Sequence, residues 1–409
     1  MRERPHVVLF TLVVGYAAFY LCRANVEAAF PLLKQSFSFT KTQLGLLSSV
    51  PIAAYALGKV LMGALGDLIG GKRLIVLAIA GSVAATFVFG ASGALGAFIL
   101  CASANRFFQS GGWSGAVHVI SRRFEPRRHG LVMGIMSTSY ELGNVLALLL
   151  CSAITLRLPG WRPLFVVTPL LLAAVGLFVV LALPAGGPLP ATPEAAASLG
   201  VQDDPSLADI VRSLARKPAF WIAVALSVLL TFLRIGFLTW TPMYLYEVSH
   251  ATDISGSIAK AAFFSSAGVV AALSTGALSD RFGPGRRAPV MTGSLAVVVV
   301  LVLVLAHGGV RSPLPAALLI GAIGLFLLGP YSLLAGALAL DVSGKRGAAT
   351  AAGIIDGAGY LGASSAGVVL GKLAEERGWS AAFDATAAVA LVATIVAGAW
   401  SVAVLRRRA

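Results

Sequence analysis

One short segment, residues 63–73, decides how this chain is organised: GALGDLIGGKR. A second copy, GALSDRFGPGRR, occupies residues 276–287, and each copy follows a long apolar run. Both read Gly-x-x-x-Asp-x-x-Gly and end in a basic pair. The glycines permit a tight turn, the carboxylate can cap a neighbouring helix, and the basic pair favours the inner membrane surface. The repetition therefore predicts a chain built from two corresponding halves.

The composition predicts a membrane protein. Of the 409 residues, 58% are apolar and only 12% are charged, and the mean hydropathy is +0.88. Apolar runs of about 20 residues, each able to cross roughly 30 Å of hydrocarbon as a helix, recur along the chain. Because these runs are continuous and do not alternate with polar residues, they favour helices. We expect an all-α polytopic membrane protein.

Twelve transmembrane helices are predicted, in two six-helix bundles. Their approximate positions are 6–31, 44–65, 74–92, 95–119, 129–151, 163–183, 219–246, 259–279, 289–307, 314–338, 347–370 and 380–404. The predicted domains are an N-terminal bundle over 1–183, a cytoplasmic linker over 184–218 and a C-terminal bundle over 219–409. A short amphipathic helix is expected within the linker, around 206–216.

The net charge of +14 is explained by topology. When the N-terminus is placed in the cytoplasm, most of the 31 Lys and Arg residues fall in cytoplasmic segments, as the positive-inside rule requires. Both termini are therefore predicted to be cytoplasmic, and no nucleic-acid partner is expected.

Two arginines interrupt apolar helices at corresponding places in the two halves. Arg23 lies within GYAAFYLCRANVEAAFPLL, and Arg234 lies within LLTFLRIGFLTWTPMYLYEV. A membrane-embedded arginine is costly unless it is paired or hydrated, so such residues are usually functional. Guanidinium groups bind oxyanions in a bidentate manner. The hypothesis is that two unpaired arginines repel one another in the empty cavity, and that a bound anion neutralises both and lets the halves close.

The repeated loops and the segment NRFFQSGGW at 105–113 resemble the signatures of the major facilitator superfamily. That resemblance implies two bundles that rock around a central cavity and open it to alternate sides. Further stretches, among them SSVPIAAYALGKVLMGALGD and GKRGAATAAGIIDGAGYLGASSAG, are similar to organophosphate:phosphate antiporters. The similarity implies a secondary transporter, not an enzyme, that exchanges a sugar-phosphate or glycerol-phosphate type of ester for inorganic phosphate.

The resemblance and the positions of the charged residues assign the candidate site. Expected substrate-binding residues are Arg23, Arg234, Tyr16, Tyr20, Tyr55, Lys59, Tyr140, Trp240 and Tyr360. Expected coupling or charge-balancing residues are Glu27, Glu141, Asp356 and Arg106. Expected conformational-switch loop residues are Gly63, Asp67, Lys72, Arg73, Gly276, Asp280, Arg281 and Arg286.

Several assignments have alternatives that the sequence leaves open. Arg23 and Glu27 lie four residues apart on one helical face, so they could pair with each other and bind no ligand. Arg106 either has a structural or conformational-switch role or is a substrate ligand, and Lys59 either contacts substrate or only lines the path. The tyrosines are either ligands or packing residues.

The buried carboxylates leave two further functions open. Glu141 and Asp356 either carry protons or neutralise Arg106 and Lys59. In the first case the protein is a proton-coupled facilitator for another anion, a carboxylate or a phosphonate, with Glu27 as a third candidate carrier. The second alternative is a transporter-like sensor of sugar phosphates.

The remaining expectations are brief. No cofactor and no metal site are expected, since His and Cys residues lack ligand spacing. The expected partners are a phosphate or phosphate-ester anion and the lipid bilayer, with a monomer as the default state. The chain is expected to be a multi-pass protein of a bacterial inner membrane.

Overall fold

The computed structural model describes residues 5–125, 129–183, 207–282, 287–310, 312–334, 338 and 348–406. These residues are largely helical, and no strand occurs among them. The helices are α1 Pro5–Ala18, α2 Ala24–Ala28, α3 Phe30–Phe37, α4 Lys41–Ile69, α5 Gly71–Ala91, α6 Leu95–Arg123, α7 His129–Arg157, α8 Leu164–Ala182, α9 Leu207–Ala215, α10 Pro218–Val248, α11 Ile254–Phe282, α12 Arg287–His307, α13 Pro313–Leu333, α14 Ala348–Ala363, α15 Ala366–Glu376 and α16 Gly378–Arg406.

Eleven helical segments of the described chain are long and apolar enough to cross a membrane. The predicted fourth span, α6, has 29 residues but lies outside this set. It is less apolar because its middle carries Asn105, Arg106 and Gln109. Many large apolar side chains, such as those of Leu57 and Leu181, are exposed on the helical surface, as expected for contact with lipid. The chain is an all-α polytopic membrane protein.

The helices pack mainly within each half of the chain. In the first half α4 and α5 pack on α6, and α1 packs on α7 and α8; in the second, α11 packs on α13, α12 on α16 and α10 on α14. Two long contacts join the halves: α7 lies along α11, and α4 lies along α14 and α15. The space between these contacts is where the predicted membrane arginines lie.

The first membrane segment is broken where a continuous helix was predicted over 6–31. After α1 the chain forms a 3₁₀ turn, Phe19–Cys22, before α2 begins. The Asn25 side chain donates a hydrogen bond to Thr168 Oγ1 on α8 at 3.0 Å, and the Arg23 N–H bonds to the carbonyl of Tyr20 at 3.1 Å. This break, set by a tertiary contact, positions Arg23 at the junction of two short elements.

The linker helix was predicted correctly, since α9 occupies Leu207–Ala215. The predicted helix 11 is longer than expected and is divided into α14 and α15, so the segment extends to Glu376. By contrast, α10 runs without a break through Arg234 and Pro242.

Polar contacts join the two halves at one end of the molecule, which we call the closed end. Glu247 of α10 forms ion pairs with Lys34 and Lys41, each at 2.9 Å, and accepts a hydrogen bond from Trp379 Nε1 at 2.6 Å. The Tyr246 hydroxyl accepts a hydrogen bond from the Gln35 side chain at 2.6 Å. In the predicted topology this end faces outward.

Two glycines let the helices approach at the closed end. A Cβ at Gly45 of α4 would lie 2.5 Å from the carbonyl oxygen of Gly367 of α15, and a Cβ at Gly367 would lie 2.7 Å from the carbonyl oxygen of Gly45. A side chain at either position would therefore force the two halves apart.

Candidate functional site

Both membrane arginines line one cavity between the two halves. It contains about 590 Å³ of empty space, part of which is open to solvent. Its polar lining includes Arg23, Arg234, Arg106, Glu27, Tyr55 and Tyr360. The corresponding positions in the repeated halves thus converge on a shared chamber.

Arg23 is held by neutral groups. Its Nε donates to Gln109 Oε1 at 2.9 Å and its Nη1 to the Tyr20 hydroxyl at 3.3 Å. The guanidinium lies over the rings of Tyr20 and Tyr55, 4.8 and 4.7 Å from their centroids. Within the described part of the chain no carboxylate pairs with it. Its positive charge therefore remains available to an anion.

Gln109 of α6 fixes the break in the first segment as well as the arginine. Its Nε2 donates to the carbonyls of Phe19 at 3.1 Å and Cys22 at 3.3 Å, while its oxygen accepts from Arg23. Gln109 is fully buried. No role was predicted for it, although its place three residues after Arg106 in a polar membrane helix was a usable signal.

Arg234 is held by a carboxylate from the other half. Its Nη2 and Nε lie 3.1 and 3.3 Å from Glu141 Oε1, and both side chains are almost fully buried. The guanidinium also lies over the rings of Tyr140 and Tyr331. The expectation of two unpaired arginines is therefore wrong for Arg234, because α7 supplies an acidic side chain at this point.

The second oxygen of Glu141 is unusual. Glu141 Oε2 is buried and has no hydrogen-bond partner among the described residues. A buried carboxylate oxygen without a donor carries a desolvation penalty of about 1–3 kcal/mol or more.

Tyr331, whose ring contacts the same guanidinium, was not predicted; its only signal was a polar hydroxyl in the long apolar run of α13.

Two other acidic side chains near the cavity, those of Glu27 and Asp356, also form ion pairs. Glu27 pairs with Arg106, with Oε1 and Nη2 2.8 Å apart, so the proposed Arg23–Glu27 pair does not form. Asp356 pairs with Lys59, which is one of the two roles expected for it. The Glu27–Arg106 pair lines the cavity, Arg234 of the Glu141–Arg234 pair also lines it, and the Lys59–Asp356 pair lies outside the lining. Arg23 is the lining cation that no described carboxylate pairs with.

Two layers of contacts join the halves on the side of the cavity away from the closed end. The rings of Tyr55 and Tyr360 lie 5.1 Å apart. One turn further from the closed end, Lys59 of α4 pairs with Asp356 of α14, and its ammonium lies 4.7 Å from the Tyr360 ring centroid. These layers separate the cavity from the opposite face.

Four predicted substrate-binding residues lie outside the cavity lining: Lys59 and Tyr140, whose contacts are given above, and Tyr16 and Trp240. Tyr16 packs within the first half, against Trp113 at 5.1 Å and Tyr20 at 6.4 Å between ring centroids. Trp240 donates from Nε1 to the carbonyl of Gly367 at 3.1 Å. Tyr16 supports the cavity wall, and Trp240 helps to join α10 to α15 near the closed end.

The repeated loops are described only in part. Gly70 has a φ of +84° and separates α4 from α5, and Lys72 Nζ donates to the carbonyl of Val180 on α8 at 2.7 Å. Gly63 lies on α4, and Arg73 is exposed on α5. The side chains of the other predicted loop residues lie outside the described part: Asp67, Gly276, Asp280, Arg281 and Arg286.

Comparisons with known proteins agree with this architecture. A "Phosphoglycerate transporter protein" of Salmonella typhimurium is 27% identical over 310 residues, covering 71% of this chain and 66% of that protein. A "Probable hexose phosphate transport protein" of Chlamydia trachomatis is 26% identical over 412 residues, covering 95% and 89%. These relatives confirm the similarity to organophosphate:phosphate antiporters.

A solved structure shares the fold. It is a bacterial homologue of the human lysosomal transporter Spinster in an inward-facing, unoccupied conformation, with a TM-score of 0.80 and 17% identity, and the match covers 99% of this chain and 98% of the other. The sequence profile of the family described as "Major Facilitator Superfamily" matches residues 12–367. Together with the duplicated helical architecture and the shared cavity, this match shows that the chain belongs to the Major Facilitator Superfamily.

Proposed function

We propose that this protein is a secondary active transporter that exchanges an organic phosphate for inorganic phosphate by alternating access. The observation that carries the proposal is the convergence of Arg23 and Arg234, one from each half, on a single cavity. A phosphate group offers several oxygens at tetrahedral angles, so it can accept hydrogen bonds from two guanidinium groups at once.

The charges in the cavity support an anionic substrate. Glu27, Glu141 and Asp356 each pair with a separate cation, and Arg23 retains its charge on neutral partners. An anion that enters the cavity therefore meets an uncompensated guanidinium in a poorly hydrated site, where the attraction is stronger than in water.

The same geometry offers a mechanism for alternating access. An anion bound by Arg23 and Arg234 connects the two halves, so it stabilises conformations in which they are close. Release requires the halves to separate on one side while the other side stays shut. The contacts of Glu247 close one side, and the Tyr55–Tyr360 and Lys59–Asp356 layers obstruct the other.

The relatives support a phosphate ester as the organic substrate, since those compared are named as transporters of phosphoglycerate and hexose phosphate. We extend this to a sugar-phosphate or glycerol-phosphate type of ester. We also propose that the protein acts as a monomer in a bacterial inner membrane and has no enzymatic activity.

A second candidate function is transport of a carboxylate or phosphonate. One observation favours it: Arg234 already binds a carboxylate, that of Glu141. An external carboxylate could occupy the same place without any change in the arginine's geometry.

Counterflow of labelled phosphate in proteoliposomes tests the proposal. We expect unlabelled phosphate and phosphate esters to compete, and carboxylates to compete weakly. Arg23→Lys and Arg234→Lys should abolish exchange, because an ammonium cannot replace the two-pronged contact. Arg377→Lys, at an exposed position, is the matched control and should exchange normally. Near-normal counterflow in both cavity variants would refute the arginine clamp, and competition by carboxylates alone would favour the second candidate.

A further inference from the structure

We propose that Glu141 is the binding site for a co-transported proton, so that a phosphate dianion enters the cavity together with one proton. This inference rests on the proposed function, since it concerns what happens to Glu141 when phosphate reaches Arg234. It adds an ion-coupling role to a residue that the clamp itself does not need.

Glu141 occupies the position that a substrate oxygen needs. Both Nη2 and Nε of Arg234 are directed at the same atom, Glu141 Oε1. A phosphate that binds the Nε and Nη2 edge of this guanidinium, the edge that Glu141 occupies, displaces that carboxylate oxygen. Arg23, by contrast, has neutral partners among the described residues, so phosphate can reach it without expelling any of the described carboxylates.

The carboxylate of Glu141 has an oxygen that can accept a proton without losing a hydrogen bond. Glu141 Oε2 is buried and lacks a hydrogen-bond donor among the described residues, so protonation there breaks no existing contact. The other two paired carboxylates, Glu27 in the cavity lining and Asp356 outside it, have no such buried, unpartnered oxygen in the described part. Each also keeps its own cation, Arg106 or Lys59.

Among the described residues, Arg234 is the cation that pairs with Glu141. The titratable groups in contact with this ion pair are Tyr331 on α13 and Tyr140 on the same helix as Glu141. The cavity that Arg234 lines also contains Arg23 and Tyr20 of the broken first segment, Glu27 on α2 and Arg106 on α6. From α11, Gly268, which carries no charge, lies against the Glu141 carboxylate. When phosphate takes over Arg234, the freed carboxylate therefore loses its counterion.

Charge balance favours protonation at that moment. The three ion pairs leave a single formal positive charge, that of Arg23. A phosphate dianion reverses this to one negative charge if Glu141 stays ionised, whereas protonated Glu141 leaves the loaded cavity neutral. An uncompensated charge is disfavoured in a desolvated cavity.

The proton step is a simple transfer. On the loading side a proton from water forms an O–H bond at Glu141 Oε2 as phosphate displaces Oε1 from Arg234. On the unloading side phosphate leaves Arg234, the O–H bond breaks, the proton returns to water and the carboxylate pairs with Arg234 again. The protein thus couples the movement of a dianion to the movement of one proton in the same direction.

Calorimetry of inorganic phosphate binding tests the inference directly. The intact protein is titrated in buffers of different ionisation enthalpy at about pH 8.5, where phosphate is already a dianion. We expect the wild type to take up about one proton per phosphate bound. Glu141→Gln, which keeps the shape of the side chain, should bind phosphate without taking up protons. Glu376→Gln, an exposed carboxylate that pairs with Lys372 on its own helix, should retain the uptake.

The possible outcomes separate the two proposals. Equal uptake in the wild type and Glu141→Gln would place the proton on phosphate or elsewhere and overturn this inference alone, as would phosphate binding without uptake in the wild type. Failure of the wild type to bind phosphate would overturn the proposed function as well. As a second readout, Glu141→Gln proteoliposomes should exchange phosphate at equilibrium but lose accumulation driven by a pH gradient; retained accumulation would contradict the assignment.

Discussion

Arg23 and Arg234 hold corresponding places in the two halves of the chain, yet their surroundings differ. Arg23 lies at a break between short helical elements and is bound by an amide and two tyrosines. Arg234 lies in an unbroken helix and is bound by the carboxylate of Glu141 from the other half. Duplication thus preserved the position of the cation but not its partner.

This difference gives the two arginines different parts in anion binding. An anion can approach Arg23 without displacing a charged group, but it must compete with Glu141 for Arg234. We therefore expect Arg23 to attract the anion first and Arg234 to complete the site. When the anion replaces Glu141 on Arg234, it breaks a contact between the two halves. Anion binding can be linked to movement of the halves at this step.

The largest expected effect is on stability. Arg234→Met leaves Glu141 buried without its cation, so we expect a loss of about 3–5 kcal/mol. Arg23→Met removes a cation from neutral partners and should cost less, about 1–3 kcal/mol. Denaturation of the purified variants in detergent measures the difference. The double variant Arg234→Met with Glu141→Leu should recover most of the loss. Equal losses of stability in Arg234→Met and Arg23→Met would contradict the difference between the two arginines.

Removing the charge of Glu141 should leave Arg234, like Arg23, without a carboxylate partner. Without competition for Arg234, Glu141→Gln should bind inorganic phosphate about tenfold more tightly at neutral to alkaline pH, since a charge-assisted hydrogen bond is worth about 1.5–3 kcal/mol. Equilibrium binding to the purified protein measures this. Glu376→Gln, an exposed carboxylate with only a same-helix partner, is the control. Weaker binding by Glu141→Gln would show that the carboxylate assists the anion.

Access to the two arginines from the closed end depends on Glu247. Glu247→Gln should weaken both lysine contacts, and because the site is partly exposed we expect an effect of about 1 kcal/mol. A cysteine in place of Leu238, which lines the cavity, should then react about fivefold faster with an impermeant maleimide. The native Cys22, Cys101 and Cys151 are buried. An unchanged rate would exclude Glu247 from control of this end.

The smallest expected effect distinguishes the aromatic partners of the arginines. The Tyr20 hydroxyl accepts a hydrogen bond from Arg23, so Tyr20→Phe should weaken phosphate binding several-fold, by about 0.5–1.5 kcal/mol. Tyr140 meets Arg234 through its ring face, 5.4 Å from the guanidinium, so Tyr140→Phe should change binding by less than about twofold. Binding titrations compare the two variants. A larger effect of Tyr140→Phe than of Tyr20→Phe would show that the hydroxyl of Tyr140, and not that of Tyr20, contributes to phosphate binding.

Some features of the site could be predicted because they follow from helix geometry and duplication. A residue near the middle of a membrane helix lies near mid-depth, and equivalent residues of two repeats face a common axis. For these reasons the shared chamber of Arg23 and Arg234 was accessible from sequence. The composition likewise predicted the helical membrane architecture.

The choice of partners could not be predicted in the same way. Glu27 lies four residues from Arg23 but pairs with Arg106 of another helix, and Glu141 pairs with Arg234 far along the chain. These pairs depend on how helices rotate against one another, which sequence spacing does not specify. The break at Phe19–Cys22 also lacks a local helix breaker, because buried contacts from other helices stabilise it.

The most direct measurement is a structure of the protein with inorganic phosphate bound, determined by cryo-electron microscopy in a lipid nanodisc. The account predicts one phosphate in the cavity, with oxygens about 3 Å from the guanidinium groups of both Arg23 and Arg234, and with Glu141 no longer bonded to Arg234. Phosphate that contacts only one of these arginines, or that binds elsewhere while the Arg234–Glu141 pair persists, would contradict the central claim.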